Sequence, residues 1–483
     1  MLADSSRRGS RGGGVLRRIR LWLGVLLAAV IAYLAWVKFE WSRPTATLRH
    51  PLAYVGRQAD IPIDVADSGT GLASVEVSIA AGAARYPVLF ETYPEESWRG
   101  SGVHEKSFPL SLSPREAKIP EGPAKLVVEA EDGSWLNYLR SQTPTLTQPI
   151  EIDYNPPSIE LLTSQHYMRL GGADVVVFKT SKDAVQSGVA VEPYFFPGTK
   201  GLLPDPDVVV ALFAVPQDLT TSVRPKVIAE DPAGNRREAD FFVSVKPRKF
   251  ADRTLDVDDD FLERKVPDLL ELNRLAPTDD LLAGYLEINR DLRKLSEEII
   301  RKVCANPEQK ILWTQVFQRQ PDSAPLSGFA DRRTYKHDGA IIDSQTHLGF
   351  DLASLRQSPV AAANDGKVVY ADNLGIYGNT VILDHGIGLH SLYGHLSSVG
   401  VQVGQAVKRG DSLGRTGETG LAAGDHLHFS IMVNGIHVDP VEWWDPKWVQ
   451  DHVTEKLKAF AAPTGADASA AAKEPARRRG RHR

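Results

Sequence analysis

Cysteine is nearly absent: Cys304 is the single thiol in 483 residues. One thiol has no intrachain partner, so a disulfide framework is excluded. The count fits a reducing compartment and also an oxidising one where thiols are avoided, and does not choose between them. A strong charge of one sign is missing too. A formal net charge of −5 carries no nucleic-acid signature. Hydrophobic content of 42% and charged content of 24% are ordinary for globular protein, and the length allows several domains.

Residues 1–20 hold six Arg and one Asp. Leu21 to Val37 is then uncharged and apolar, with Trp22 and Trp36 near its ends. That is close to the lower length limit for a spanning helix. Arg17, Arg18 and Arg20 would hold the basic N-terminus (1–20) in the cytoplasm, and the two Trp suit the interfaces. A cleaved signal peptide is the rival reading, with Val30-Ile31-Ala32 as the cleavage site. Apolar sequence continues through Val37, which would put that cut in mid-run. The favoured reading is an uncleaved single-pass transmembrane anchor at 21–37; on either reading the remainder is exported.

Residues 45–150 read as short strands. Ile61 to Val65, Ala73 to Ile79 and Ala124 to Ala130 alternate or run apolar between turn residues. Residues 151–250 repeat the theme with Val175 to Phe178, Val208 to Val215, Val227 to Ala229 and Phe241 to Val245. Two echoes link the halves: Ser68-Gly69-Thr70-Gly71-Leu72 with Ser187-Gly188-Val189, and Ala130-Glu131-Asp132 with Ala229-Glu230-Asp231. Asn155-Pro156-Pro157 is a natural boundary, because paired prolines break helix and sheet. Two immunoglobulin-like β sandwiches are expected, serving as spacers or docking surfaces; one larger irregular β region is the alternative.

Residues 256–306 change period. Asp258-Asp259-Asp260 places acid at a helix start, where it caps free N–H groups and suits the dipole. That helix ends near Asn273. Thr278 then caps a longer one, in which Leu281, Tyr285, Ile288, Leu292, Leu295, Ile299 and Val303 recur at three- and four-residue steps. A helical hairpin results, and its stripe must be covered, because a narrow amphipathic helix is not stable alone. Its own partner helix and the next domain are the plain cover. A gate over a cleft, or a dock for a regulatory protein, is the sharper reading. From residue 458 the chain is rich in Ala, Gly, Thr and Ser and ends in a basic run from Arg477. That composition cannot bury a core, so 458–483 is expected to be a disordered basic tail.

Between these lies a segment of short strands and Gly turns, expected to be antiparallel β. Phe317, Phe329 and Tyr335 suggest its first strands, with Arg332 and Arg333 at a cleft rim. Val381 to Leu383 and Leu389 to Tyr393 read as a hairpin about Gly386-Ile387-Gly388. It contains His347-Leu348-Gly349-Phe350-Asp351, Tyr393-Gly394-His395-Leu396 and Asp425-His426-Leu427-His428-Phe429. Five side chains, His347, Asp351, His395, His426 and His428, suit one metal site with acid–base partners. A hydrolytic zinc site takes three protein ligands and leaves the fourth position to water. Two His and one Asp can supply three ligands, with two His left over to move protons. His426 and His428 are two apart in an alternating run, so both face one cleft while Leu427 and Phe429 face the core. His347 and Asp351 flank Gly349 and are expected on a loop or short turn. Tyr393 stands two before His395 and is expected on its side. No Cys is close, which suits zinc. His385, His390 and His437 lie nearby and are given no chemistry.

The three motifs, in that order, resemble the lysostaphin-type (LytM-like) zinc peptidases of peptidoglycan. Pro359-Val360-Ala361-Ala362, Asp365-Gly366-Lys367-Val368-Val369, Gly378-Asn379 and the Gly-rich run from Gly414 to Gly420 match as well. The resemblance covers residues 325–448 and implies a peptidase domain at 311–450. It implies that His347, Asp351 and His428 bind zinc (Zn2+) and that His395 and His426 are catalytic. All five are present, whereas some members of that family have lost ligands and act only as activators. The fold class expected is mainly β and multidomain: anchor, two sandwiches, helical hairpin, LytM-like domain. The function implied is a membrane-anchored endopeptidase cutting peptidoglycan cross-links or stems in wall remodelling, from the cytoplasmic (inner) membrane, with its bulk in the periplasm. A non-catalytic scaffold or activator of another wall hydrolase, gated by the hairpin, is the alternative. A peptidase acting on exported proteins is a third.

Overall fold

The computed structural model describes residues 13–96, 100–138 and 144–461. Most of the basic N-terminus (1–12) and nearly all of the expected tail (462–483) lie outside the described residues. The chain is mainly β, with one N-terminal apolar helix. It divides into two compact units, one of 1–155 with 232–235 and one of 156–231 with 236–483. The cut between Asn155 and Pro156 falls at the paired prolines.

In the first unit, helix α1 (Gly13–Lys38) contains the span Arg17–Lys38, long and apolar enough to cross a membrane by length and composition. Its large side chains are exposed, Leu21 at 66% and Trp22 at 69%, so none of the described residues covers them. Two sheets come next. One orders Thr45–Leu48, Ala59–Ala66 and Glu105–Leu112; the other has five strands with Gly122–Asp132 and Leu72–Ala81 inside. In Ala59–Ala66 burial alternates: Ile61, Ile63 and Val65 point inward and Asp60 outward. They meet Val75, Val77, Ile79, Leu126 and Val128 in one closed core. Period-two burial of this kind needs a single covered face.

The second β segment is different. Gly172–Thr180 pairs antiparallel with Val208–Val215. All eight residues of Val208–Val215 are buried. A strand apolar on both sides needs cover on both faces. One core here runs from these strands to Leu389, Leu427, Phe429 and Trp443 of the C-terminal region. Lys456, from the C-terminal helices, reaches Asp174 at 2.6 Å. Of the sandwich expected at 151–250, residues 156–231 and 236–250 lie in the same compact unit as the C-terminal region.

Helix α2 (Asp259–Leu272) starts at the Asp258 cap, whose side chain accepts from Phe261 N. Helix α3 (Leu281–Glu287) runs through one π turn, Ile288–Leu292, into α4 (Arg293–Val303). Asp280, not Thr278, caps α3, by accepting from Ala283 N; the Thr278 hydroxyl sits two residues early and accepts from Asp280 N. The stripe shifts as well. Tyr285, Ile288 and Leu292 are buried, but beyond them Ser296, Ile300 and Cys304 are buried while Leu295 is 45% exposed. The π turn widens the winding by a residue and rotates the face. The helix can then press Ser296 onto Gly375, where an added Cβ would stand 2.3 Å from the Ser296 hydroxyl. The stripe packs on α2 and on Leu374, Ile376, Tyr377, Ile382, Leu392 and Met432, so the plain cover applies.

The C-terminal region centres on a large antiparallel sheet. Its order is Ala324–Ser327, Phe350–Ala353, Leu427–Val433, Leu389–Gly394, Asn379–Gly386, Gly366–Asn373, Ala406–Val407, with Ile436–Val438 on the side of Leu427–Val433. The hairpin about Gly386-Ile387-Gly388 joins Asn379–Gly386 to Leu389–Gly394.

Candidate metal centre

The central strand Leu427–Val433 sets the site. Its Leu427 and Phe429 enter the core, and its His428 faces the opposite side. Register pairs Asp351 of Phe350–Ala353 with His428 on one side and Gly394 with His428 on the other. Asp351 is thus a strand residue rather than a loop residue, while His347 lies on the loop just after the strand Ala340–Thr346. Gly349 between them is required: a Cβ there would stand 2.3 Å from the His428 ring.

His347 Nε2, Asp351 Oδ1 and His428 Nδ1 form a triangle with all three edges at 3.0 Å. Each of the three residues is at least nine-tenths buried. The far side of each imidazole fixes its tautomer. His347 Nδ1–H donates to Gly328 O at 2.8 Å, leaving Nε2 as a lone pair. His428 Nε2–H donates to Ser430 Oγ at 3.1 Å, and Ser430 in turn donates to Leu348 O, so Nδ1 is the inner lone pair. Three acceptors then face one point with no proton between them, an arrangement that calls for a cation. Tetrahedral zinc with bonds of about 2.0–2.1 Å holds neighbouring ligands about 3.3 Å apart, so the triangle fits the ion after a small expansion. Nitrogen and oxygen donors without sulfur fit it too.

His395 and His426 stand beside the triangle. Their rings are 4.9 Å apart, and His395 lies 5.7 Å from the His428 ring. His395 Nδ1–H donates to Thr419 O and His426 Nδ1–H to Gly424 O, both at 2.8 Å, so each has Nε2 free. His426 Nε2 is 3.6 Å from Asp351 Oδ1. The five residues expected from the motifs therefore meet on one cavity of about 440 Å³. Tyr393 does not share the side of His395. It is buried against Phe429 and its hydroxyl accepts from Ala363 N. The strand ends at Gly394, and His395 takes a left-handed φ of 61°, which breaks the alternation.

Electrostatics follow from burial and neighbours. Burial pushes the Asp351 carboxyl up, but its imidazole neighbours, His347 first and then His426 and His428, hold it well below the usual range. Burial takes His428 down to about 4. It takes His395 well below the ordinary imidazole value, with His426 and His428 adding to the effect. Burial opposes the charged form of His426 too, but Asp351 outweighs it and raises that group.

Ser430, Tyr377 and Glu297 do not stand out in the sequence, and Arg333 reads there only as a rim residue. Arg333 Nη2 donates to Asp351 Oδ2 at 2.7 Å, holding the oxygen that faces away from the triangle. It is an inner wall of the cavity rather than a rim, while Arg332 is exposed. Ser430 orients His428. The Tyr377 ring lies 5.0 Å from the His428 ring, and its hydroxyl donates to Glu297 of α4 at 2.7 Å. Ser430 was findable, since it continues the His426, His428 alternation; the others depend on approaches that spacing does not encode.

Residues 345–440 match Peptidase family M23. The DD-carboxypeptidase/endopeptidase Mpg of Neisseria meningitidis serogroup B is 39% identical over 95 residues, 20% of this chain and 22% of that protein. The peptidoglycan DD-endopeptidase ShyA of Vibrio cholerae is 34% identical over 131 residues, 26% and 30% of the two chains. The murein hydrolase activator NlpD of Salmonella dublin is 33% identical over 127 residues, 25% and 32%. The chain thus aligns with under a third of the length of these relatives. The segment 345–440 is a peptidase domain of family M23, the lysostaphin (LytM) type.

Proposed function

We propose that this chain is a membrane-anchored zinc metalloendopeptidase that hydrolyses peptide cross-links or stems of peptidoglycan. The observation that carries this reading is the 3.0 Å triangle of His347, Asp351 and His428 acceptors with two further imidazoles at its edge. Zinc held there supplies a Lewis acid for the scissile carbonyl and lowers the pKa of water. The chain's own groups do the rest. Asp351, fixed by Arg333, and His428, fixed by Ser430, keep their lone pairs aimed inward. Of His395 and His426, one takes the proton of the attacking water at Nε2. The other donates from Nε2 to the oxygen that gains charge, or to the leaving amine. Helix α1 serves as a single-pass anchor in the cytoplasmic membrane of a bacterium, with the bulk in the periplasm. The two β segments serve as immunoglobulin-like spacers or docking surfaces. The basic termini lie outside the chemistry.

The similarity to NlpD favours a second reading, in which the domain activates another wall hydrolase without cutting, gated by the helices through a partner protein. The complete ligand set supports the enzyme instead. Digestion of purified sacculi by the purified full chain in detergent separates the two. Release of peptide fragments, lost on chelation and restored by zinc, is expected; zinc-replete protein that releases nothing yet stimulates a separate hydrolase would overturn the enzyme reading.

A further inference from the structure

The cavity beside the metal triangle holds three guanidinium groups, from Arg253, Arg293 and Arg333. Two are matched by carboxylates: Arg253 with Asp331 and Arg333 with Asp351, each at 2.7 Å. Arg293 is not. It is half-buried at the start of α4, and its hydrogen bonds go to Asn289 O at 3.1 Å and Asn289 Oδ1 at 2.7 Å. Among the described residues no carboxylate lies within ion-pair distance of it. Glu297, one turn on, feels its charge, but Glu297 binds Tyr377 and His437 instead. Asp351 is engaged by Arg333; Asp425 accepts from Gln357 N at Oδ2, while its Oδ1 is buried without a partner and forms no ion pair with Arg293. Asp256 lies on an exposed strand. Guanidinium has five N–H donors, and the two bonds to Asn289 leave three without a protein partner.

A half-buried guanidinium with unused donors, facing a cavity, is placed to pair with an incoming anion. Its neighbours point the same way. Arg293 and Arg333 line the same cavity, together with Tyr285. Arg333 Nε is buried with no partner, a second unused donor in this wall. Unused donors and positive charge meeting on a cavity shared with His347, His395 and His428 describe a place for an anion. A planar fork selects a carboxylate by bidentate pairing.

We infer that Arg293 is a specificity-determining residue that binds a free carboxylate of the peptide substrate, so that α4 of the helical wall selects acidic peptides for the metal centre. This rests on the proposed peptidase reading and names the substrate class within it: peptides with a free carboxylate near the scissile bond, in preference to the same peptides as carboxamides.

The test compares a purified cross-linked muropeptide with its carbodiimide-amidated form, using the full chain and its Arg293→Gln and Arg293→Lys variants. The wild type is expected to favour the acid by about tenfold or more in kcat/KM, the size of a charge-assisted hydrogen bond. In Arg293→Gln that preference falls towards one, chiefly through KM, while Arg293→Lys keeps part of it. Calorimetric binding of both forms to the zinc-loaded chain reads the same selectivity without turnover. If nothing is cleaved but the acid still binds tighter in an Arg293-dependent way, the inference stands and the peptidase reading falls. Equal handling of acid and amide by the wild type, or an unchanged preference in a folded Arg293→Gln protein, would overturn it. Thermal melting of each variant establishes that it is folded.

Discussion

The floor of the cavity and its helical wall are built by different means. The floor is sheet: Asp351 and His428 face each other by strand register, and His395 comes one residue after the strand that flanks them. Backbone pairing sets the positions of Asp351 and His428, and hydrogen bonds to Gly328 and Ser430 and from Arg333 aim the ligand atoms. The wall is helix, and its position depends on packing. Ile288, Leu292 and Ile300 press on Ile376, Tyr377, Ile382 and Leu392, and a π turn adjusts the face that does so. From that wall Glu297 reaches Tyr377, which packs on His428. A sheet fixes a site by register, whereas a helix does so only through everything it touches.

Breaking the floor should have the largest effect. His428→Ala removes a ligand and leaves Asp351 and His347 without their third corner. Zinc content by elemental analysis and cleavage of muropeptides are both expected to vanish; cleavage retained without metal would remove the floor from the mechanism. Breaking the wall should cost stability first. Ile288 is fully buried, so Ile288→Ala is expected to destabilise by about 2–5 kcal/mol in denaturant unfolding, with zinc content intact in the protein that remains folded. A wall that acts as a removable gate would instead give faster cleavage and little loss of stability.

A subtler cut falls on the hydrogen bond behind the metal ligand. Ser430→Ala frees His428 Nε2 and lets the ring turn or switch tautomer. Zinc affinity, measured by competition with a chelating dye, should fall about 10- to 100-fold, with the melting temperature of the apo-protein little changed. Unaltered affinity would mean that register alone orients the ring.

Much of the floor could be read in the sequence. Alternation places His426, His428 and Ser430 together, and Gly349 signals a tight path between His347 and Asp351. What the alternation could not give was its own failure at His395, where the left-handed backbone sends Tyr393 to the core and His395 to the cavity. The wall was less legible. Its apolar repeat announces a covered helix, but the extra residue of the π turn moves burial from Leu295 to Ser296 and Ile300. Arg293 and Glu297 lie off the apolar repeat, and Arg333 reads only as a rim residue, because their surroundings come from segments far away in the chain. The second β segment shows the same limit. Val208–Val215 has too many apolar residues for a one-sided sheet, which says that both faces are covered without saying by what.

The last effect lies outside both floor and wall, leaves the metal untouched and serves as a control. Glu442 accepts from Ala173 N across to the second β segment. Burial, with Asp439 and Asp174 nearby, raises its carboxyl to about 8 from 4.5. The folded chain therefore holds this proton where the unfolded chain has released it. The associated stability is complete below about pH 4.5 and is lost as pH rises towards about 8. Glu442→Gln should flatten that decline in thermal melts between pH 5 and 8 without changing zinc content. An unchanged slope would place the titrating group elsewhere.

Zinc K-edge absorption of the purified full chain tests most directly whether two imidazoles and one carboxylate hold the ion with a corner left for solvent. One zinc per chain, with scattering from two imidazoles, light oxygen scatterers and no sulfur, is the expected spectrum. Three or four imidazoles on the metal, which would enlist His395 or His426 as ligands, or a folded chain that takes up no zinc, would contradict it.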